Sequence, residues 1–227
     1  YQGIGAGNVV HLALGTALAC MIISSTASTH AHAARGNIAW KVVGGMAPGI
    51  ILGAFLVTQF AANINVSYIA SFFALFMALI AGQMFVNWQP TPSTTPTTLP
   101  GLFAAAIGIG SLSALAAVGG GFLTIAYLGY KNIGMKNAIG TSAAIGLPIA
   151  ITGAVGYMIS GWSRTLGDAY TLGYVYVPAF LAISIASVIA APYGVRCSQK
   201  LPEAYLKKIF AVISLLLSIK MLAYAAN

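Results

Sequence analysis

Acidic side chains are almost absent from this chain, which has two Asp or Glu residues among 227, against ten Lys or Arg. Charged residues make up 5% of the sequence, whereas a soluble domain carries about 25%. Both acids, Asp168 and Glu203, stand outside the apolar runs, and no nucleophile lies beside a base within a run. A membrane enzyme would need such groups inside a span. The sequence therefore predicts no catalytic residue and no enzyme.

Cysteine is also scarce, since the chain has only Cys20 and Cys197. Two thiols this far apart form neither a disulfide framework nor a metal motif. His30 and His32 are two residues apart, so on a helix their imidazoles point to different sides and make a poor metal pair. We expect no metal and no cofactor.

The net charge of +8 does not indicate a nucleic-acid partner, because the cations form no dense patch. They stand between apolar runs, as the positive-inside bias predicts for a membrane protein. Hydrophobic residues make up 59% of the chain, and several runs are long enough to cross a bilayer as a helix. The sequence predicts an all-α, multi-pass membrane protein, a polytopic helical bundle surrounded by lipid. Its candidate spans are 9–29, 38–61, 66–87, 101–129, 137–160, 169–194 and 204–224.

A segment rich in Pro and Thr, residues 89–100, separates two halves, because proline cannot sustain a helix there. We therefore divide the chain into a first transmembrane repeat (1–88), this linker and a second transmembrane repeat (101–227). Each half has a glycine cluster followed by a Gly-Thr step. The clusters and steps are Gly5 and Gly7 before Gly15-Thr16, and Gly119, Gly120 and Gly121 before Gly140-Thr141-Ser142.

The first repeat is the shorter one, since 8 residues lead from Gly7 to Gly15 but 19 lead from Gly121 to Gly140. We favour an omission of residues there, and we expect two four-span repeats, of which the first is incomplete. An even number of spans would insert both halves the same way, as parallel repeats, unless one segment re-enters. Parallel insertion places six Lys or Arg on one side and four on the other. The six then mark the cytoplasm, with the linker outside.

The motifs resemble the sulfite exporter TauE/SafE family, also called the toluene sulfonate uptake family. In the first half the resemblance rests on Ala13–Thr16, Ser24–Thr26, His30–Trp40 and Ala47–Ala54. In the second half it rests on Val118–Gly121, Asn137–Ser142 and Leu201-Pro202. Ala6 and Ala17 depart from the first-half pattern, which suggests fewer hydrogen-bond donors on that side.

The resemblance implies a bacterial inner-membrane transporter of small sulfur-containing anions such as sulfite, thiosulfate or sulfonates. An alternating-access carrier with a central site formed by both repeats is the first hypothesis. An anion channel, or uncoupled pore, of the same architecture is the alternative. The coupling ion, proton or sodium, stays open, and so does the oligomeric state, including a homodimer.

Glycine clusters inside apolar runs predict broken helices whose free amides bind the anion. The predicted substrate-binding residues are Gly5, Gly7, Thr16, Gly119, Gly120, Gly121, Thr141 and Ser142. Two other roles are open for them: glycines allow close helix packing, and helical hydroxyls bond to their own backbone.

Four further residues are predicted to gate the path or to steer anions towards it. Pro148 would kink its span and so shape a cavity or act as a hinge. His30, Arg35 and Arg164 would attract anions at a membrane edge, with the two arginines in equivalent loops at one mouth. A solvated interfacial face is the other explanation for the histidines.

Overall fold

The computed structural model describes residues 9–61, 63–86, 98–165, 170–200 and 203–226. Within these ranges the chain forms eight helices and one short β-hairpin, which confirms the predicted all-α membrane architecture. The helices are α1 (Val9–Ala33), α2 (Trp40–Ala61), α3 (Val66–Val86), α4 (Leu99–Leu115), α5 (Gly121–Tyr130), α6 (Met135–Gly161), α7 (Val177–Lys200) and α8 (Glu203–Ala226). Strands β1 (Thr171–Leu172) and β2 (Val175–Tyr176) pair antiparallel before α7.

Six of these helices are long enough to cross a hydrocarbon core of about 30 Å at 1.5 Å per residue. In the described part of the chain, α1, α2 and residues 136–161 are both long enough and apolar enough to cross a membrane. The predicted run 101–129 is broken into α4 and α5, and the run 169–194 begins with the β-hairpin instead of a helix.

Helices α1 and α6 pack against each other in opposite directions. Along their interface, residue numbers fall in one helix as they rise in the other. The pairs are Thr29 with Ala143, Ser25 with Gly146, and Leu18 with Gly153. The start of α1 therefore lies beside the end of α6.

Helices α4 and α5 form a hairpin that does not cross the bundle. Along α2 and α4 the residue numbers rise together, since Gly49 meets Phe103 and Gly53 meets Ile107. At the other end of the hairpin, the Tyr127 hydroxyl on α5 donates to the carbonyl of Gly101 on α4 at 3.4 Å. The chain thus enters and leaves the hairpin at one end of the bundle, which we call the hairpin end; we call the opposite one the far end.

This hairpin reverses the expected relation between the halves. In the residues that the structure describes, each half has three crossing helices, α1–α3 and α6–α8, so these two sets of helices are inverted relative to each other. The expected parallel insertion is wrong, because the first element of the second half, the α4–α5 hairpin, folds back instead of crossing. The chain also leaves α3 and enters α4 at the hairpin end, so α3 ends and α4 begins on the side of the basic loops and not on the opposite side.

Inversion also regroups the basic residues. Eight of the ten Lys and Arg residues belong to helix ends or loops at the hairpin end, and two belong to the far end. The eight are Arg35, Lys41, Lys131, Lys136, Arg196, Lys200, Lys207 and Lys208, and the two are Arg164 and Lys220. The expected six-to-four division changes because the loop between α1 and α2 joins the basic side.

Small residues allow the inner helices to approach closely. A Cβ built on Gly110 of α4 would lie 2.7 Å from the carbonyl oxygen of Ile50 on α2. Outer helices present large apolar side chains instead, such as Leu79 of α3 and Leu216 of α8, which are 64% and 62% exposed. In a membrane, lipid would surround these side chains. Close packing and hydrogen bonds would then hold the helices together, because lipid gives no hydrophobic driving force between them.

Candidate functional site

The turn between α4 and α5 ends one helix and starts another inside the bundle. Helix α4 closes with a Schellman motif, in which the Val118 amide donates to the Ser113 carbonyl at 3.0 Å and the Ala117 amide to the Ala114 carbonyl at 3.3 Å. Ala117 takes the left-handed conformation that this motif needs, with φ of 48°. The last carbonyls of α4 are therefore partly satisfied within the turn.

The start of α5 is left without a side-chain cap. Its N-cap residue is Gly120, at φ of 66°, which has no side chain to accept from the first amides. Within the described ranges, the amides of Gly121, Phe122 and Leu123 have no backbone acceptor. Because α5 has 10 residues, these donors lie about 15 Å from the hairpin end, near the middle of a bilayer. The break expected at Gly119, Gly120 and Gly121 is confirmed.

Two hydroxyl side chains that sequence reasoning missed converge on this break. A Cβ built on Gly120 would lie 3.4 Å from Ser113 Oγ and 3.6 Å from Thr124 Oγ1. Both side chains are buried, and neither hydroxyl has a hydrogen-bond partner. The signal was their spacing, since Ser113 stands two helical turns before Gly120 and Thr124 one turn after it.

Two apolar side chains stand beside the same glycines. The Cβ built on Gly120 would overlap Ile149 Cδ1, and one built on Gly119 would lie 2.6 Å from Met21 Sδ. Ile149 follows Pro148 in α6, which continues as a helix through that proline. Pro148 is therefore the chain neighbour of a residue whose side chain contacts Gly120, and its predicted hinge role stays a prediction.

The two Gly-Thr steps hold the loops of the opposite half. Thr16 Oγ1 accepts from the amide of Tyr176 at 3.0 Å, and Thr141 Oγ1 accepts from the amide of Ala39 at 3.0 Å. Each amide belongs to the residue just before a helix, α7 for Tyr176 and α2 for Ala39.

The glycine of each step lets the same loop approach. A Cβ on Gly15 would overlap the Tyr174 carbonyl oxygen, and one on Gly140 would overlap the Asn37 carbonyl oxygen. Both loop residues stand two positions before the residue whose amide bonds the threonine. The hydroxyl protons of Thr16 and Thr141 stay available to another acceptor, so their substrate contact remains a prediction. The Ser142 hydroxyl donates to the Ile139 carbonyl at 2.8 Å, the local bond that a helical serine commonly makes.

A cavity of about 480 Å³ lies between α1 and α7 at the far end. In the inverted halves, α1 is the counterpart of α6 and α7 is the counterpart of α2. The cavity between α1 and α7 is therefore the counterpart of the place where the α4–α5 hairpin packs against α6 and α2. It is mainly apolar, with Thr16 and Tyr176 as polar members; the lining residues are Val9, Leu12, Ala13, Thr16, Ala17, Tyr176, Ala179 and Ile183. Gly5 and Gly7, which precede α1, lie outside the described residues.

The predicted steering residues do not share one mouth. His30 and Arg35 are exposed at the hairpin end, while Arg164 is exposed at the far end, where its Nη2 donates to Asn63 Oδ1 at 2.7 Å. The expectation that both arginines serve one mouth is wrong, because inverted halves place equivalent loops at opposite ends.

A buried histidine was also missed. His11 is 3% exposed, its Nε2 lies 3.0 Å from the Ala61 carbonyl, and its ring stacks on Tyr174 at 4.9 Å between centroids. These contacts join the start of α1 to the end of α2 and to the β-hairpin. His11 is about 15 Å along α1 from Met21, so it does not belong to the glycine break.

Comparison with known proteins gives one consistent family. A profile described as "Sulfite exporter TauE/SafE" matches residues 4–221. A "Probable membrane transporter protein" of Haemophilus influenzae is 34% identical over 212 residues, covering 92% of this chain and 80% of that protein. Proteins of the same description from Methanocaldococcus jannaschii and Bacillus subtilis are 28% and 27% identical, covering 94% and 87% of this chain and 79% of each relative. No solved structure matches the chain at a significant level.

Proposed function

The chain belongs to the sulfite exporter TauE/SafE family and is a membrane transporter, and from this premise we propose that it carries small sulfur-containing anions. Sulfite, thiosulfate and sulfonates are the candidate cargoes. The protein works in a bacterial inner membrane by alternating access around a central site.

One observation carries this proposal: the uncapped start of α5 at mid-depth, with Gly120 as its N-cap. Moving an oxyanion out of water costs many kcal/mol unless donors replace its hydration. Free amides at a helix start supply such donors and the positive end of the helix dipole. A passing anion therefore finds its ligands without a buried cation.

Inverted halves support alternating access. In inverted-repeat carriers, one half takes the conformation of the other and access passes to the opposite side. We assign the hairpin end to the cytoplasm, since eight of the ten basic residues belong to it.

Gly120→Leu tests the proposal, because a leucine there would meet Ile149, Ser113 and Thr124. The variant, reconstituted in proteoliposomes, should lose uptake of labelled sulfite and methanesulfonate while it still inserts and purifies as a folded protein. Gly108→Leu is the matched control on α4, since a Cβ there meets nothing within 4 Å. Uptake by Gly120→Leu equal to that of Gly108→Leu would refute the site.

Counterflow separates a carrier from the alternative, an anion channel. Proteoliposomes preloaded with unlabelled substrate should accumulate labelled substrate transiently if one site alternates between the two sides. A channel would let the label equilibrate without any overshoot. Steady conductance without counterflow would favour the channel.

A further inference from the structure

The hydroxyls of Ser113 and Thr124 are buried without a hydrogen-bond partner, as are those of Ser184 and Ser214. Ser113 is 1% exposed and Thr124 is fully buried, and neither oxygen has a hydrogen bond. Other helical hydroxyls do have a partner in their own helix: Thr26 donates to the Ile22 carbonyl at 2.7 Å, and Thr58 to the Phe55 carbonyl at 2.8 Å. A buried hydroxyl without a partner costs free energy, so a ligand that accepts from it is favoured.

The two hydroxyls come from opposite sides of the break and meet at one place. Ser113 belongs to α4 and Thr124 to α5, yet both oxygens lie within 3.6 Å of the position that a Cβ on Gly120 would take. The amides of Gly121, Phe122 and Leu123 begin α5 next to this position. Hydroxyls and amides together can all donate, so the place suits an oxygen-rich acceptor.

No full positive charge accompanies these donors. Among the side chains that the structure describes, no Lys, Arg, Asp or Glu is buried, and His11 is the one buried histidine. His11 packs near the start of α1, at the far end of the bundle, about 15 Å from Met21 along that helix. The helix start supplies a partial charge of roughly +0.5.

A site with only a partial positive charge favours a monoanion over a dianion. The cost of removing an ion from water grows with the square of its charge, so a dianion costs about four times as much as a monoanion of the same size. The interaction with neutral donors grows only in proportion to the charge. A site without a buried cation therefore gains selectivity for a single charge.

Two apolar side chains border the same position. Met21 Sδ stands beside Gly119, and Ile149 Cδ1 stands beside Gly120. A thioether and an aliphatic group offer dispersion contacts, not hydrogen bonds. An organic sulfonate matches these mixed surroundings, because it joins charged oxygens to an apolar carbon substituent.

We infer that Ser113, Thr124 and the first amides of α5 form a selectivity site for singly charged sulfur oxyanions, namely hydrogen sulfite and organic sulfonates. Dianions such as sulfate, thiosulfate and fully deprotonated sulfite are disfavoured. This inference rests on the proposed transport function and specifies its substrate.

A pH series in proteoliposomes tests the charge preference, with the 227-residue chain reconstituted. Hydrogen sulfite loses its proton near neutral pH, whereas methanesulfonate stays singly charged throughout. Sulfite uptake at a fixed total concentration should fall by up to about tenfold per pH unit above that transition, while methanesulfonate uptake stays flat. The flat series excludes a titrating protein group as the cause. Sulfite uptake that does not fall with rising pH would overturn the inference.

Competition gives a second measure of charge selectivity. Sulfate and thiosulfate should inhibit methanesulfonate uptake at least about tenfold more weakly than ethanesulfonate does. Inhibition by sulfate as strong as that by ethanesulfonate would show that charge is not selected.

Variants test the two hydroxyls. Ser113→Ala and Thr124→Val should each raise the half-saturation concentration for methanesulfonate by about tenfold, since each removes a donor to a charged ligand. Thr124→Ser keeps the hydroxyl and should restore most of the affinity, which separates donation from packing. Ser214→Ala is the matched control, a 1% exposed serine on α8 that also lacks a partner, and it should leave the half-saturation concentration unchanged.

The results separate the two proposals. No uptake of any sulfur anion by the unchanged protein would overturn the transport function and this inference together. Uptake that is insensitive to Ser113→Ala and Thr124→Val would leave the transport function standing and overturn the inference alone.

Discussion

Thr16 and Thr141 occupy matching positions in inverted halves, and each holds the other half's loop. The Oγ1 atom of Thr16 accepts from the amide just before α7, and that of Thr141 accepts from the amide just before α2, both at 3.0 Å. The repeated Gly-Thr step is thus a reciprocal contact between halves. Its glycine permits the approach and its threonine forms the bond.

Loss of either threonine acceptor should destabilise the protein. Thr16→Val leaves the Tyr176 amide unpaired and Thr141→Val leaves the Ala39 amide unpaired, so each should cost about 1–3 kcal/mol. Thermal unfolding in detergent should show a lower midpoint for each variant. Thr26→Val, which removes only an exposed bond within α1, is the control and should change the midpoint less. Midpoints equal to that of the control would show that these contacts do not hold the halves together.

The antiparallel packing of α1 and α6 should permit a specific disulfide. A Cβ on Gly146 would lie 3.9 Å from the Ser25 Cβ, within the range that a disulfide needs. Ser25→Cys with Gly146→Cys should therefore cross-link under mild oxidation. A protease site placed in the linker would reveal the bond, since cleaved halves stay joined on a non-reducing gel.

Gly153→Cys paired with Ser25→Cys is the control for that experiment. Gly153 lies two turns further along α6, about 10 Å away, so this pair should not cross-link. Cross-linking of the control but not of the Gly146 pair would contradict the register of the two helices.

Inverted halves also predict which loops share a side. Gly36 and Asn132 stand in exposed loops at the hairpin end, and Ser163 stands in an exposed loop at the far end. In a background with Cys20→Ala and Cys197→Ser, single cysteines at these three positions should react differently with an impermeant maleimide. Gly36→Cys and Asn132→Cys should be labelled only from the cytoplasmic side, and Ser163→Cys only from outside. Labelling of Gly36→Cys and Asn132→Cys from opposite sides would show that the halves are parallel and not inverted.

The clash at the glycine break should be partly relieved by a second substitution. Gly120→Ala adds a Cβ that overlaps Ile149 Cδ1, and it also places alanine at φ of 66°. Gly120→Ala with Ile149→Ala removes the overlap but not the left-handed strain of about 1–2 kcal/mol. The double variant should unfold at a higher temperature than additive single effects predict. Strict additivity would show that Ile149 is not the neighbour that restricts Gly120.

Several features of the site could be read from local sequence. Three successive glycines at 119–121 predicted a helix break, because glycine tolerates the conformations that end one helix and begin another. The structure confirms that break. The same reasoning overlooked Ser113 and Thr124, since a hydroxyl in an apolar run normally bonds to its own helix, and only the spacing of these two from Gly120 could have marked them as exceptions.

Other features depended on whether each apolar run crosses the bilayer and in which direction, and hydropathy does not encode either. The run 101–129 has the same composition whether it crosses the bilayer or turns back at its centre. The turn back changed the number of crossings from even to odd, and with it the relation of the halves and the sides of Arg35 and Arg164.

The sequence by itself determined that this chain is a membrane protein, roughly where most of its helices lie, and where one of them breaks, because burial of apolar runs and backbone freedom are local properties. Only the tertiary structure decided that the halves are inverted, that Thr16 and Thr141 clamp loops of the opposite half, and that two unpaired hydroxyls meet at Gly120. Those relations join residues far apart in the chain, and they follow from packing between helices rather than from the preferences of any one segment.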